Sequence, residues 1–421
     1  MKSDPHVLIA GGGMVGLSLA LLLDRQLPAQ VRITLVEGMA LPPASATGTA
    51  YHPSFDARST ALSYSTASIY RRLGVWDGLR PGLGPIDSIH VSRRARPGST
   101  RLLAAEQGWD ALGWVVENPC LGRSLLAAVR ARPRIALRCP AQVAAATATP
   151  AGMAVTLTGT GGDGATGVEE TVACDLLVIA DGAESRLREQ LAFLTRRKRY
   201  GQAALIANLA FERHHEGCAY ERFTDSGPLA LLPLPPSRDA RSRTALVWTL
   251  PPERAETLSA ADPADFAREL IDAFGYRLGR IERVGERATY PLVLTEAIEQ
   301  ARRACVVLGN AEHALHPVAG QGFNLALRDA QVLADRLAAA AGSDRALGDA
   351  AVLSAYAAQR QRDQARTIAA SDGLPALFMH SDPVLALGRD LALAGLDVLP
   401  ALRRQFVQQA AGMAALESAH G

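Results

Sequence analysis

Residues Val7–Gly16 read VLIAGGGMVG, an apolar run broken by three consecutive glycines and then resumed. His6–Ala10 is short and almost wholly apolar, the pattern of a strand buried on both faces, and Met14–Leu27 has the length and period of a helix. Gly11, Gly13 and Gly16 fall at the junction as G-x-G-x-x-G. Gly11 permits a tight strand-to-helix turn, Gly13 lets the backbone approach a pyrophosphate, and Gly16 lets helix and strand pack closely. The helix start then faces the phosphate charge with its free N–H groups. A second apolar run, VRITLVE, ends at Glu37, where an acidic side chain can accept hydrogen bonds from an adenosine ribose. Strand, helix and acid together predict a βαβ dinucleotide-binding unit rather than an ordinary glycine-rich turn.

The same segment does not read as a signal peptide. The glycines interrupt it, and Asp24 and Arg25 end it before any small-residue cleavage site. No other stretch approaches about 18 uninterrupted apolar residues, so no spanning helix is expected. The five cysteines are scattered and form no C-x-x-C, which suits a reducing cytoplasm and argues against a zinc site or disulfide framework. A net charge of +2 over 421 residues leaves no nucleic-acid footprint, and the length accommodates two or three domains.

Residues 1–80 alternate strand and helix, with Ser59–Gly74 reading as a helix ended by Gly74. From 84 to 117, SIHVSRR, STRLLAAE and LGWVVE are short runs separated by Gly and Pro, the pattern of antiparallel strands. Leu121–Ala131 reads as helix, and TGTGGDGATG as a loop or hairpin tip between Met153–Leu157 and Val168–Cys174. Asp175–Ala180 and Ala304–Leu308 return to the buried parallel type. Residues 199–295 are strand-rich, interrupted by one helix, Pro263–Phe274, with Pro-rich turns at Pro233–Pro236 and Pro251–Pro252. Phe323–Ala341, 349–370 and 383–411 read as helices, with turns at Asp372–Pro375 and Ser381–Pro383. The expected architecture is α/β: a Rossmann-like, discontinuous nucleotide-binding domain (1–80, 118–195, 296–345), an inserted antiparallel β-sheet substrate domain (81–117, 196–295) and a C-terminal helical tail (346–421).

Ligands of open α/β sheets bind at the carboxyl ends of strands. Three strands here end in glycine-containing turns: at Ala10, at Ala180 before Asp181–Gly182, and at Leu308 before Gly309–Asn310. They are expected to converge on one cofactor. After the third comes a loop with Pro317, Gly320 and Gly322, then a helix beginning near Asn324. The backbone N–H groups of Gly322, Phe323 and Asn324 at that helix start offer donors and a positive dipole end to an anionic ring edge. His313 and His316 are active-site candidates, but with no Cys or carboxylate cluster beside them no metal is expected. His214–His215 read as a solvated pair, and Trp248 and Phe223 as core more than pocket.

G-x-G-x-x-G, D-G after an apolar strand, and G-N before H-P-x-x-G-Q-G-x-N resemble the single-component flavoprotein aromatic hydroxylases of the para-hydroxybenzoate hydroxylase type. Within them, FDARSTALS at 55–63 and GNAEHALHPVAGQGFNLALRD at 309–329 resemble the ubiquinone-biosynthesis hydroxylases of the UbiH/UbiF/VisC group. The resemblance runs from about residue 5 to residue 410. It implies non-covalent FAD, NAD(P)H as co-substrate and O2, with a flavin C4a-hydroperoxide hydroxylating a polyprenylated phenol. By position it implies Glu37 at the adenosine ribose, Arg58 and Arg123 facing FAD, and Asp181 and Gly182 near both FAD and the passing nicotinamide nucleotide. Gly309 and Asn310 would contact the ribityl chain, Asn310 standing where the broader pattern has Asp. Pro317, Gly320 and Gly322 would lie beside the isoalloxazine. No side-chain base is assigned. The same fold also serves flavin reductases, epoxidases and halogenases, and a non-catalytic FAD-binding subunit of a biosynthetic complex is the reading from another class. A halogenase needs a pocket lysine, and the chain has only Lys2 and Lys198. The tail, Pro383–Gln409, is amphipathic with basic residues, a pattern that fits peripheral inner-membrane or partner docking as well as closure over the protein's own core. A homo-oligomer is compatible with all of this.

Overall fold

The computed structural model describes residues 4–42, 58–94, 99–160, 166–315, 320–343, 345–379 and 407–408. In chain order the first elements are β1 (His6–Ala10), α1 (Met14–Gln26), β2 (Arg32–Val36), β3 (Ser59–Ser63), α2 (Tyr64–Leu73) and α3 (Trp76–Leu79). Then come β4 (Leu83–Ile86), β5 (Ser88–Arg93), β6 (Ser99–Leu103), β7 (Gly113–Glu117), α4 (Asn118–Arg130) and β8 (Ile135–Arg138). The middle of the chain forms β9 (Ala141–Ala148), β10 (Met153–Thr160), β11 (Thr166–Cys174), β12 (Leu176–Ile179), α5 (Arg186–Gln190) and the long β13 (Thr195–Phe211). β14 (Cys218–Thr224), β15 (Gly227–Leu234), β16 (Arg243–Leu250), α6 (Pro252–Ala260), α7 (Pro263–Phe274) and β17 (Ile281–Ala297) follow. The last are β18 (Ala301–Arg302), β19 (Cys305–Val307), β20 (His313–Ala314), α8 (Gln321–Gly342) and α9 (Ala350–Met379).

A six-stranded sheet, β18-β19-β12-β1-β2-β8, is parallel except for the edge strand β18. β1 and β12 lie in its centre and are buried along their whole length, as their continuous apolar runs require. One face carries α1, α4 and α8 over Val7, Ile9, Val178 and Val306. The other face, with Leu8, Leu177, Ile179 and Val307, packs on Val155 and Leu157 of the antiparallel β9-β10-β11 sheet. An eight-stranded sheet, β20-β17-β13-β16-β15-β14-β5-β6, is antiparallel except where β14 runs parallel to β5. α6 and α7 cover one of its faces with Leu258, Phe266, Leu270 and Phe274.

Several elements differ from the sequence reading. Ser59–Ser63 is not helix but a strand paired with β7, and β3-β7-β4 form a sheet of their own. The helix starts only at Tyr64, because the Ser63 hydroxyl accepts the Thr66 N–H as an N-cap. It ends at Gly74, at φ 73°, as the sequence suggests. Two helices, not one, interrupt the 199–295 strands: Pro252 opens α6 instead of closing a turn, since proline costs nothing at a first helical position. α9 runs through the expected turn at 372–375, its helical backbone carried past Pro375. His215 is buried, its ring bonded to the Leu234 carbonyl at 3.2 Å, rather than solvated. The expected helix 383–411 lies outside the described residues except Val407 and Gln408.

Candidate functional site: three strand ends and a helix start

The carboxyl ends of β1, β12 and β19 stand side by side. The Ala180 N–H donates to the Ala10 carbonyl at 2.8 Å, and the Leu308 N–H to the Ile179 carbonyl at 2.8 Å. Each glycine of the first turn has its own requirement. At Gly11, with φ 111°, a Cβ would stand 2.3 Å from the Ala180 carbonyl oxygen, so the first and second turns touch there. A Cβ on Gly16 would stand 1.9 Å from the Gly11 carbonyl oxygen, which fixes the close packing of helix on strand end. Gly13 is different: its backbone is extended and no described residue lies within 4 Å of a Cβ there. It caps α1 without a side-chain hydrogen bond, so the cap residue leaves the first-turn N–H groups unsatisfied. Among the described residues, Gly13 is thus left clear on its Cβ side.

The third turn closes on the first. Gly309, at φ 68°, packs on the Val15 side chain of α1, and Asn310 beyond it is exposed. Arg188 of α5, fully buried, donates to the Ala311 carbonyl at 2.8 Å and so ties the Asp181–Gly182 turn to the Gly309–Asn310 turn. Gly182, at φ 102°, has no described residue within 4 Å of where a Cβ would be. Glu37 reaches back from the end of β2. Its carboxylate accepts the Gly12 N–H at 2.8 Å and the Met39 N–H at 2.7 Å. Each carboxylate oxygen has a second lone pair, so these bonds orient the group without exhausting it. Arg123 lies half-buried in α4, which packs beside α1. The Arg58 carbonyl accepts the Asn118 N–H at 2.7 Å, and its guanidinium lies 5.5 Å from the centre of the Tyr290 ring on β17.

The start of α8 is held by Asn324. Its Oδ1 accepts from the Ser63 N–H at 2.8 Å and the Thr66 hydroxyl at 2.7 Å, and its Nδ2 donates to the Ala61 and Gly320 carbonyls at 2.9 and 2.8 Å. Three of these bonds join α8 to the β3–α2 junction, and the fourth ties the helix to its own cap residue. The Asn324 side chain thus positions the helix start, and only backbone is left to face a ligand. Gly320 caps α8 in the left-handed conformation, φ 59°, with no side-chain hydrogen bond. Among the described residues, a Cβ at Gly322 would meet only Leu315 Cβ, at 3.9 Å, an ordinary contact. Pro317 and His316 lie outside the described residues.

An uncapped helix start beside a glycine kept clear, two further glycine turns abutting it, and an acid at the end of the second strand fit a dinucleotide. Residues 4–371 match the model of the FAD-binding domain family. The chain belongs to that family. It is 34% identical to ubiquinone hydroxylase UbiL of Rhodospirillum rubrum over 407 residues, covering 96% of this chain and 89% of that one. It is 29% identical to 3-demethoxyubiquinol 3-hydroxylase of Escherichia coli, covering 98% of this chain and 100% of the relative. Among solved structures, p-nitrophenol 4-monooxygenase PnpA of Pseudomonas putida DLL-E4 superposes with a TM-score of 0.75 at 18% identity, covering 98% and 99% of the two chains. The α/β fold is therefore that of this family, and FAD is its cofactor.

Within this family member, a buried ionic network not read from sequence stands behind the third turn. Glu312, His313 and Asp329 come together, so carboxylates do cluster at His313. His313 Nε2 lies 2.8 Å from Asp329 Oδ2, and Arg360 of α9 donates to Asp329 Oδ1 at 2.5 Å. Arg360 also donates to Asp363, which accepts from Arg328 Nε at 2.9 Å. Gln364 donates to Glu312 at 2.7 Å and to Asp329 at 3.1 Å. Arg328, Arg360 and His313 thus face Asp329, Asp363 and Glu312 in one buried cluster. Burial pulls the His313 pKa down, but the Glu312 and Asp329 carboxylates outweigh it and hold it at about 9. Burial pushes Glu312 up to about 8 against the pull of His313. Asp329 is held at about 2, because Arg360 and His313 outweigh its burial. The spacing of His313 and Asp329, 16 residues apart on different elements, gives no sequence pattern by which to find this network.

Proposed function

We propose that this protein is an FAD- and NAD(P)H-dependent monooxygenase that hydroxylates the aromatic ring of a polyprenylated phenol in ubiquinone biosynthesis. The observation that carries the reading is the clear backbone at Gly13, with its N–H donors, in a chain that matches ubiquinone hydroxylases from end to end. Gly11, Gly13 and Gly16 with the α1 start would hold the pyrophosphate, and Glu37 the adenosine ribose. Arg58 and Arg123 would face FAD. Asp181 and Gly182 would serve FAD and the nicotinamide nucleotide, and Gly309 and Asn310 the ribityl chain. The Gly322, Phe323 and Asn324 N–H groups, beside Pro317 and Gly320, would donate to the ring system. Bound FAD supplies the activation of O2, which no amino-acid side chain can perform. The chain binds, orients and excludes water, and the α8 dipole stabilises negative charge at the ring edge.

No helix among the described residues is long and apolar enough to cross a membrane. The tail reading in which it closes over the protein itself is supported by Val407, which is buried among Ile86, Leu102, Leu112 and Val115. Substrate-stimulated NAD(P)H oxidation by the FAD-loaded protein tests the function. Stimulation by a polyprenylated phenol, with a hydroxylated product, is the expected result. FAD binding without any stimulation would indicate a non-catalytic subunit, and a reduced or epoxidised prenyl chain would indicate another use of the fold.

A further inference from the structure

One face of the eight-stranded sheet is covered by α6 and α7; the other carries an opening. In β13 every residue from Ala203 to Phe211 is buried except Ile206, and in β16 every residue is buried except Val247. These two are cross-strand partners. The same row continues in register through Ala230 of β15, Glu221 of β14 and Val91 of β5, and on the other side to Ala288 of β17. All six positions are partly exposed. Side chains alternate along a strand, so the row points away from the α6–α7 core that holds Leu205, Leu246 and Leu231. On that same face the flanking row on one side, Phe223, Pro228, Thr249 and Ala204, is buried as far as the exposed Tyr290 on β17, and on the other Ala219, Ala245 and Asn208 are buried beside a partly exposed Leu232. A partly open row between two mostly covered rows is the floor of a hollow. Its composition is aliphatic with a single ionisable group, Glu221.

Among the described residues, Glu221 Oε1 is buried without a hydrogen-bond partner. Buried carboxylate oxygens are rarely left unpartnered, because the desolvation is not offset. No charge holds it either: burial alone pushes its pKa up to about 7. On the neighbouring β15 the same face carries Pro228, Ala230 and Leu232, none titratable, and on β5 it carries Arg93, at the strand end. Arg243, further across on β16, is taken by Glu117 at 2.8 Å. His90, Tyr220 and Arg222 project from the opposite face, where Arg277, Arg101 and Arg222 lower the His90 pKa after burial has done so.

We propose that Glu221 is the substrate-contacting acceptor of the phenol hydroxyl, on the floor of an aliphatic hollow that takes the ring. This rests on the phenol reading above. The phenol O–H bond breaks as its proton passes to the Glu221 carboxylate, where a carboxyl O–H forms, and the electron pair stays on the phenolate oxygen. An acceptor near neutral pH suits that exchange, and the electron-rich phenolate is the form that attacks an electrophilic oxygen.

The test is a binding cycle on the FAD-loaded enzyme, read from the flavin absorbance change on adding ligand. A prenylated phenol and its O-methyl ether are titrated against wild type and Glu221→Gln from about pH 5.5 to 8.5. Wild type should prefer the phenol to the ether by about tenfold or more above pH 7 and lose that preference below it. Glu221→Gln should bind the ether as wild type does and show a weak, pH-independent preference for the phenol. If the Gln variant loses FAD, Glu221→Asp is scored by the same cycle, with the preference reduced and its pH dependence shifted. A wild type that hydroxylates the phenol while Glu221→Gln keeps the full, pH-dependent preference overturns this inference alone. A wild type that binds neither ligand overturns it together with the phenol reading.

Discussion

The same substitution at two nearby glycines should separate folding from cofactor binding. Gly16→Ala places a methyl 1.9 Å from the Gly11 carbonyl oxygen, a contact with backbone that cannot swing away. Relief needs a shift of about an ångström between α1 and the β1 turn, and overpacking of this kind costs about 1–3 kcal/mol or more. Gly13→Ala meets no described residue within 4 Å and keeps an extended backbone that any residue adopts. Replacing a glycine N-cap by alanine costs up to about 1 kcal/mol. The added methyl instead stands where a pyrophosphate must approach. Displacing that contact by about 1–3 kcal/mol corresponds to about 5- to 150-fold weaker FAD binding. Urea unfolding of the apoprotein and FAD titration by flavin fluorescence quenching read the two effects. Gly16→Ala should lower stability, and Gly13→Ala should lower FAD affinity with stability nearly intact. Wild-type FAD affinity in Gly13→Ala would refute the reasoning.

Asn324→Ala removes four hydrogen bonds at the α8 start, and at about 0.5–1.5 kcal/mol each should cost about 2–6 kcal/mol in urea unfolding; a loss below about 1 kcal/mol would show that α8 is placed by other contacts. The Glu312–His313 pair should make stability fall with rising pH. The contribution of His313 is complete below its ordinary 6.5 and is lost as pH rises through about 9, and that of Glu312 is complete below 4.5 and lost through about 8. A double variant, Glu312→Gln with His313→Gln, should flatten the slope of unfolding midpoint against pH in that window, and an unchanged slope would remove the pair from the account. Truncation before Pro383 should cost soluble, FAD-bound protein, because Val407 belongs to the core; full FAD loading with lost membrane association would instead assign the tail to docking.

Where sequence and structure agree, the information is local. β1, α1, β2, β12 and α8 follow from apolar runs, glycine turns and helical period, each confined to neighbouring residues. The convergence of the three strand ends also follows, because a parallel sheet places carboxyl ends on one edge. Ser59–Ser63 was not legible as strand, since its partner β7 lies 50 residues on and its small polar residues carry no alternation. α6 was hidden by Pro251–Pro252, which marks turns and first helical turns alike. The double duty of Asn324 was hidden because its partners Ala61, Ser63 and Thr66 are more than 250 residues away. Glu221 and the Glu312–His313–Asp329 network were invisible for the same reason: burial, register and the absence of a partner are properties of packing between distant strands and helices.

The central claim is that one oxygen atom from O2 enters an aromatic ring at this protein's FAD site. Incubating the FAD-loaded protein with a prenylated phenol, NAD(P)H and heavy-isotope O2, followed by mass spectrometry of the product, tests it directly. The account predicts a singly hydroxylated ring carrying one labelled oxygen. A product labelled only from water, or a purified chain that binds no FAD, would contradict it.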